Sequence, residues 1–130
     1  MNGGVLLRVD LHWPTGPPLS LNRDLHWAAK ARIKKQMHVD LQWRLHRRPP
    51  ITGPVVIELL WVVVDNRVRD VDNPTPTLKV CVDAMVRAGV LAQGDSHRFV
   101  TRSYCRIEHG QRPRMFLTVF RASPDERPTA

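Results

Sequence analysis

The order of secondary-structure signals predicts an α+β fold: a two-layer single domain in which a mixed sheet of about four strands packs against two helices, in the order β-α-β-α-β-β. Three observations predict it: a valine-rich apolar run in mid-chain, a four-residue apolar period before it, and two alternating runs after it. Because 130 residues suit one core, we expect residues 1–130 to form one domain, with a polar tail from about residue 122.

A change in apolar spacing indicates the first strand and the first helix. Val5–Leu11 alternates apolar with charged residues, which is typical of a strand. Asn22 can cap the following helix, and Pro49-Pro50 cannot continue it, so we expect it to extend to about Arg47. Its apolar residues recur at every fourth position, at Leu25, Ala29, Ile33, Met37, Leu41 and Leu45.

The middle of the chain predicts a buried strand, an exposed loop and a second helix. Pro54–Val64 is almost uninterrupted apolar sequence, the pattern of a strand covered on both faces. A polar loop from Asp65 to Asn73 follows it. Thr75 is expected to cap a helix over Pro76–Ala88, since proline suits a first turn and Gly89 suits the position after the last turn.

Two alternating runs, Phe99–His109 and Arg114–Arg121, are separated by Gly110-Gln111-Arg112-Pro113. Neighbouring runs joined by a turn that contains glycine and proline predict an antiparallel hairpin. The edges of such a sheet leave room for a partner subunit. Ser123 to Pro128 is polar and predicts a frayed tail.

The charge balance indicates a polyanionic partner. Lysine and arginine number 20 against 12 aspartate and glutamate residues, so the net charge is +8. A solvated helix face explains the basic residues of the first helix almost as well as a DNA surface does. Those expected to contact DNA phosphates are Lys30, Arg32, Lys34 and Lys35.

Other residue types exclude several classes of protein. No apolar run approaches the ~20 residues of a membrane-spanning helix, and Met1 is not followed by a secretory signal. We therefore expect a cytoplasmic protein without a membrane partner. Cys81 and Cys105 lack a Cys-x-x-Cys spacing, and the histidines form no His-x-x-x-His pair, so we expect them to be packing or surface residues.

The acidic residues of the central loop are the strongest functional signal. Asp70 and Asp72 alternate, and extended backbone would point both side chains the same way. Adjacent carboxylates repel each other unless a cation lies between them, and Mg²⁺ suits a site with few protein carboxylates and substrate phosphate oxygens. The spacing indicates a phosphate-dependent metal site, although ion pairs with Arg67 and Arg69 in a solvated turn explain it equally well.

Three further residues could extend this site. Lys79 and Asp83 lie one helical turn apart, and Lys79 lies close enough to the loop to bind a scissile phosphate. Asp95, in the turn after the helix, could fold back as a third carboxylate. The alternatives are an ion pair between Lys79 and Asp83 and ordinary turn chemistry for Asp95.

The order of these residues resembles the RusA-type Holliday-junction resolvases. Arg69–Asp95 resembles the family's Arg-x-Asp-x-Asp-Asn, Lys, Asp-Ala-Leu, Gly and Asp-Asp pattern, and Pro17–Asn22 resembles its Pro-Pro-Ser-x-Asn segment. The resemblance extends from about Leu11 to Phe120. It departs at Pro74–Thr77, which lengthens the stretch before the lysine, and at Gly94, which stands where the first of the paired acids is expected.

The resemblance implies a homodimeric, Mg²⁺-dependent endodeoxyribonuclease, with Mn²⁺ as a substitute. It implies the resolution of four-way DNA junctions by paired symmetric nicks in recombination and repair, in a bacterial or phage-infected cell. The implied roles are metal binding and catalysis for Asp70, Asp72 and Asp95, transition-state stabilisation for Lys79, support for Asp83 and Asn73, and DNA contact for Arg69. The alternatives are a basic nucleic-acid-binding module with weak or no activity, and a nuclease for other branched DNA or RNA.

Overall fold

The computed structural model describes residues 3–126. Its elements are β1 (Val5–Asp10), α1 (Trp27–Leu45), β2 (Val55–Val63), α2 (Thr75–Arg87), β3 (Val100–His109), β4 (Arg114–Arg121) and a 3-10 helix (Pro124–Glu126). The predicted order and the α+β class are confirmed, because four strands form one mixed sheet and both helices contribute to a core on one of its faces.

The apolar strand β2 lies inside the sheet, whose strand order is β1-β4-β2-β3. It pairs antiparallel with β4 and parallel with β3 over its whole length. Residues on both of its faces are buried, as the almost uninterrupted apolar sequence predicts. The carboxyl end of β2 leads directly into the acidic loop, so the strand determines where that loop begins.

The predicted hairpin between β3 and β4 is wrong. The two strands do not pair with each other, because β2 lies between them. The four residues that join them cross the carboxyl end of β2, where the Gly110 amide donates to the Val63 carbonyl at 2.9 Å. A Cβ on Gly110 would collide with Val62, so this close crossing requires glycine. A strand that is apolar on both faces is most stable inside a sheet, with a neighbouring strand on each side. The position between β3 and β4 provides this burial for β2, so β3 and β4 do not pair directly although only four residues join them.

The helix α1 starts later than predicted. It begins at Trp27, and the His26 imidazole, rather than Asn22, caps it by accepting from the Ala28 amide at 3.2 Å. The Asn22 side chain instead accepts a hydrogen bond from the Ser20 hydroxyl. The Leu21 amide donates to the Asn73 carbonyl at 2.9 Å, which holds the segment before the helix against the acidic loop. This tertiary contact competes with helix formation from Asn22.

The helix α2 begins one residue early and has no side-chain cap. Thr75 is its first residue and Pro74 is its cap residue, so the predicted capping role of Thr75 is wrong. The helix instead follows directly from a turn in the acidic loop, in which the Thr75 amide donates to the Asp72 carbonyl at 2.9 Å. Proline in the first turn and Gly89 just past the end, at φ 77°, are as predicted.

The core contains only part of the predicted apolar face of α1. Three residues in its second half, Met37, Leu41 and Leu45, are at most 3% exposed. Leu25 precedes the helix, which begins at Trp27. Ile33 is only half-buried because a strict four-residue spacing drifts around an α-helix of 3.6 residues per turn. The amino-terminal half of α1 therefore leaves most of its surface exposed.

The carboxyl-terminal segment is more ordered than predicted up to residue 126. Ala122 is 1% exposed, and its amide donates to the Pro54 carbonyl at 3.0 Å. The 3-10 helix Pro124–Glu126 follows, while the rest of the predicted polar tail lies outside the described residues. No helix within residues 3–126 is long and apolar enough to cross a membrane.

Candidate active site

The acidic loop joins β2 to α2 and lies against the segment that precedes α1. The buried Thr77 hydroxyl fixes this arrangement, since it donates to the Leu19 carbonyl at 2.7 Å and accepts from the Leu19 amide at 3.0 Å. A groove of about 420 Å³ lies between the two segments. Asp70 lines it together with Ser20, Asn22, Trp61, Arg67 and Asn73.

Sequence reasoning missed most of these groove residues. The sequence around Ser20 and Asn22 predicts only the approach to the first helix, and that around Trp61 predicts only a strand. The one usable signal was the Pro17–Asn22 segment that the resemblance includes. Nothing local to that segment reveals that it faces Asp70, because the contact joins parts of the chain about fifty residues apart.

Arg69 is bound to Asp65 rather than to any of the three candidate metal ligands. Its guanidinium makes two parallel contacts with the Asp65 carboxylate, at 2.7 and 2.9 Å. It also stacks over the Trp61 ring, with its central carbon 4.9 Å from the ring centre, and its side chain is only 12% exposed. Because Arg69 and the Arg67 amide donate to it, the pKa of Asp65 is lowered to about 2. This geometry makes Arg69 a residue that shapes the loop.

Asp70 and Asp72 are exposed, and among residues 3–126 neither forms a salt bridge. The alternative pairing with Arg67 and Arg69 is therefore absent from the described part of the chain. The backbone between them is a turn, in which the Asn73 amide donates to the Asp70 carbonyl at 3.1 Å. The alternation of an extended strand does not apply to such a turn. Only Asp70 lines the groove.

Burial raises the pKa of the Cys105 thiol in β3, a hydrogen bond with the Thr75 side chain acts in the opposite direction, and the charge of Asp72 raises this pKa further. Cys81 is fully buried in the core, and burial raises the pKa of its thiol as well. Both cysteines are free thiols, as expected for packing residues.

Lys79, Asp83 and Asp95 come together on the exposed side of α2. The Lys79 ammonium lies 3.2 Å from the Asp83 carboxylate and 3.8 Å from the Asp95 carboxylate. Lys79 is 67% exposed, so these contacts are weak and easily exchanged. Lys79 and Asp95 also line a depression of about 340 Å³ with Thr75, His97 and Ser103.

The three candidate metal ligands do not form one cluster in this conformation. Within residues 3–126, no three His, Cys, Asp or Glu residues lie close enough together to hold a metal ion. Asp95 folds back towards α2 and contacts Lys79, so the expected approach to the Asp70 and Asp72 pair is not observed. The structure thus contains two parts that share no lining residue: the Asp70 groove and the depression that Lys79 and Asp95 line.

The local backbone conformation explains why position 94 is occupied by glycine. Gly94 has a φ of 84° and closes a turn in which its amide donates to the Leu91 carbonyl at 3.1 Å. Side chains rarely adopt this backbone conformation, so the turn favours glycine where the resemblance expects an acid. The same turn directs the following residue, Asp95, towards α2.

The basic residues expected to contact DNA lie on α1. Lys30, Arg32, Lys34 and Lys35 are all exposed, and none forms a salt bridge among residues 3–126. The helix also exposes Trp27 and Trp43, at 75% and 76%. These features fit a polyanion surface as well as a solvated helix.

The comparisons with known proteins add no evidence to the sequence motif of the acidic loop. No protein-family model matches the chain, and no curated protein and no solved structure is significantly similar to it. The resemblance to RusA-type resolvases therefore rests on the residues between Pro17 and Asp95 and on the positions that the fold brings them to.

Proposed function

We propose that the chain is a Mg²⁺-dependent endodeoxyribonuclease of the RusA type that resolves four-way DNA junctions. The observation that carries this proposal is a pair of exposed carboxylates just before the helix that bears Lys79. They belong to Asp70 and Asp72, and neither has a basic partner among residues 3–126. In a protein of net charge +8, such carboxylates can accept a cation that also binds a phosphate.

Each site residue has a distinct proposed role. Asp70 and Asp72 would hold the ion, and Asp95 would join them by exchanging its weak contact with Lys79. Mg²⁺ would supply Lewis-acid polarisation of the phosphodiester. Lys79 would bind a non-bridging phosphate oxygen and neutralise the charge that develops there during attack, while Asp83 orients its ammonium.

The proposed partners follow from the same reaction. Paired nicks across a junction with two-fold symmetry require two sites related by that symmetry, so a homodimer is the expected assembly. The strands β1 and β3 are the edges of the sheet and present unpaired backbone groups. The basic residues of α1 would bind junction arms, and the enzyme would work in the cytoplasm of a bacterial or phage-infected cell.

The direct test is cleavage of a synthetic four-way junction whose strands are labelled one at a time. We expect symmetric nicks in two opposing strands with Mg²⁺ or Mn²⁺ and none in EDTA. Asp72→Asn should retain binding of the junction and reduce cleavage at least ~100-fold, because it removes a charged ligand. Asp125→Asn, which neutralises an exposed carboxylate in the 3-10 helix, is the matched control.

One observation favours the second candidate, a basic binding module without catalysis: Asp95 contacts Lys79 instead of joining a three-carboxylate cluster. Tight binding of the junction by a parent protein that does not cut it with either ion would establish this alternative. Normal cutting by Asp72→Asn would show that the proposed site is misplaced. Cutting of flaps or forks in preference to the four-way junction would change the proposed substrate.

A further inference from the structure

The sheet has a second face that neither helix covers, which we call the open face. It carries the β2 and β4 side chains that alternate with the core residues, and its centre is buried. Near the carboxyl end of β2 this face contains a depression of about 540 Å³. Leu60, Val62 and Phe116 line it, as do three arginines, Arg8, Arg112 and Arg114.

The depression is positively charged, and two of its three arginines are stacked on an aromatic ring. Arg8 and Arg114 both stack on the Phe116 ring, with their guanidinium carbons 4.3 and 5.3 Å from its centre. The Glu108 carboxylate, which also lines the depression, forms a close ion pair with Arg106, whose guanidinium also binds Glu58; the three arginines still outnumber this one carboxylate. Arg112 is exposed and makes no ion pair among residues 3–126. Arg114 has only a long contact with Asp10, at 4.0 Å.

The depression lies at the same end of the sheet as the acidic loop. The turn that carries Arg112 crosses the carboxyl end of β2, and the loop leaves from that end. The His109 ring is hydrogen-bonded to the Asp65 carbonyl at 2.5 Å, which ties the two segments together. A nucleic-acid strand that passes the acidic loop can therefore continue around the end of the sheet onto the open face.

We propose that this depression binds the phosphates of a DNA arm that extends from the candidate active site. The inference rests on the proposed function, since it assigns the path of that same substrate. Guanidinium groups over an apolar floor, two of them stacked on Phe116, fit the phosphates and sugars of a DNA backbone. A second copy of the chain is a poorer occupant, because face-to-face packing would bring the same three arginines of two subunits together.

The test is the salt dependence of junction binding in EDTA, measured by fluorescence anisotropy. Arg8→Gln/Arg112→Gln should weaken binding about tenfold at low salt and reduce the slope of log affinity against log salt by about 2, one for each lost phosphate contact. Arg48→Gln/Arg87→Gln removes the same charge from exposed positions outside the depression and should leave the slope unchanged. Arg112→Gln alone, which breaks no ion pair in residues 3–126, should reduce the slope by about 1.

The outcomes separate this inference from the proposed function. An unchanged slope for Arg8→Gln/Arg112→Gln, or an equal loss in the control, overturns the inference even if the parent cuts junctions. A reduced slope in a protein that never cuts supports the DNA path and overturns the nuclease proposal. Absence of junction binding by the parent overturns both. Loss of self-association in Arg8→Gln/Arg112→Gln, seen by analytical ultracentrifugation, would identify a second copy as the occupant instead.

Discussion

The two faces of β2 are buried to a similar extent by different means. On the covered face, Val55, Ile57 and Leu59 are at most 1% exposed beneath side chains from both helices. On the open face, Val56 and Leu60 are 0% and 6% exposed although no helix packs there. Long side chains of the neighbouring strands cover them instead. A central strand can thus be excluded from solvent on both faces even when helices cover only one face of the sheet.

The difference lies in the chemistry that covers each face. The centre of the open face is a charged residue, Glu58, which is 5% exposed. Its carboxylate accepts from the Tyr104 hydroxyl at 2.7 Å and from the Arg106 guanidinium at 3.1 and 3.3 Å. The covered face excludes water with apolar groups, whereas the open face does so with arginine stems and a satisfied polar network. Such a surface remains able to bind an anion.

The largest expected loss of stability, which tests the difference between the two faces, is on the covered face. Leu59→Ala should lower the free energy of unfolding by about 3 kcal/mol, because the fully buried leucine leaves a cavity that helices and sheet cannot close. Leu60→Ala on the open face should cost about 1–2 kcal/mol, since mobile side chains can relax into the space. Urea unfolding followed by circular dichroism measures both. Equal losses would show that the open face is packed as rigidly as the core.

An intermediate effect is expected at the centre of the open face. Glu58→Gln should lower the free energy of unfolding by about 1–2 kcal/mol, because it weakens charge-assisted hydrogen bonds to Tyr104 and Arg106. The control is Glu108→Gln on the same face, whose carboxylate is exposed and should contribute little. If Glu58→Gln leaves the free energy of unfolding unchanged, the network positions side chains without stabilising the fold.

The smallest effect concerns the end of the covered face, where Arg69 stacks on Trp61 and is held by Asp65. The pKa of Asp65 is lowered from 3.8 to about 2, so its contribution to stability is complete above about pH 4 and is lost as the pH falls towards 2. An NMR titration of the Asp65 carboxyl carbon should show this low midpoint.

The matched variant is Asp65→Asn, in which the acid sensitivity of the loop between pH 4 and 2 should be reduced. Arg8 stacks on Phe116 on the open face, and no carboxylate partner of Arg8 lies among residues 3–126, so Arg8→Gln should leave that acid sensitivity unchanged. An Asp65 midpoint close to 3.8 would contradict the ion pair on which this contrast depends.

Much of the candidate site could be predicted because its residues are close in sequence. Asp70 and Asp72 lie in one loop, and Lys79 and Asp83 lie one helical turn apart, so local spacing brings them near one another. The short turn after α2 predicted that Asp95 folds back, but not that it contacts Lys79 instead of Asp70 and Asp72. The partner of Arg69 was not predicted, because Asp65, Asp70 and Asp72 all lie within four residues of it in the sequence and spacing alone does not distinguish them; in the structure Arg69 binds Asp65 and stacks on Trp61.

The sequence by itself determined the number, type and order of the elements, because these depend on periodicity, prolines and glycines that act within a few residues. Tertiary structure decided the rest. The position of β2 between β3 and β4 depends on burying an apolar strand on both faces, whereas the late start of α1 and the position of Asn22 at the Asp70 groove depend on the contact between Leu21 and Asn73. The buried centre of the open face follows from the position of β2, which no single segment of the chain expresses.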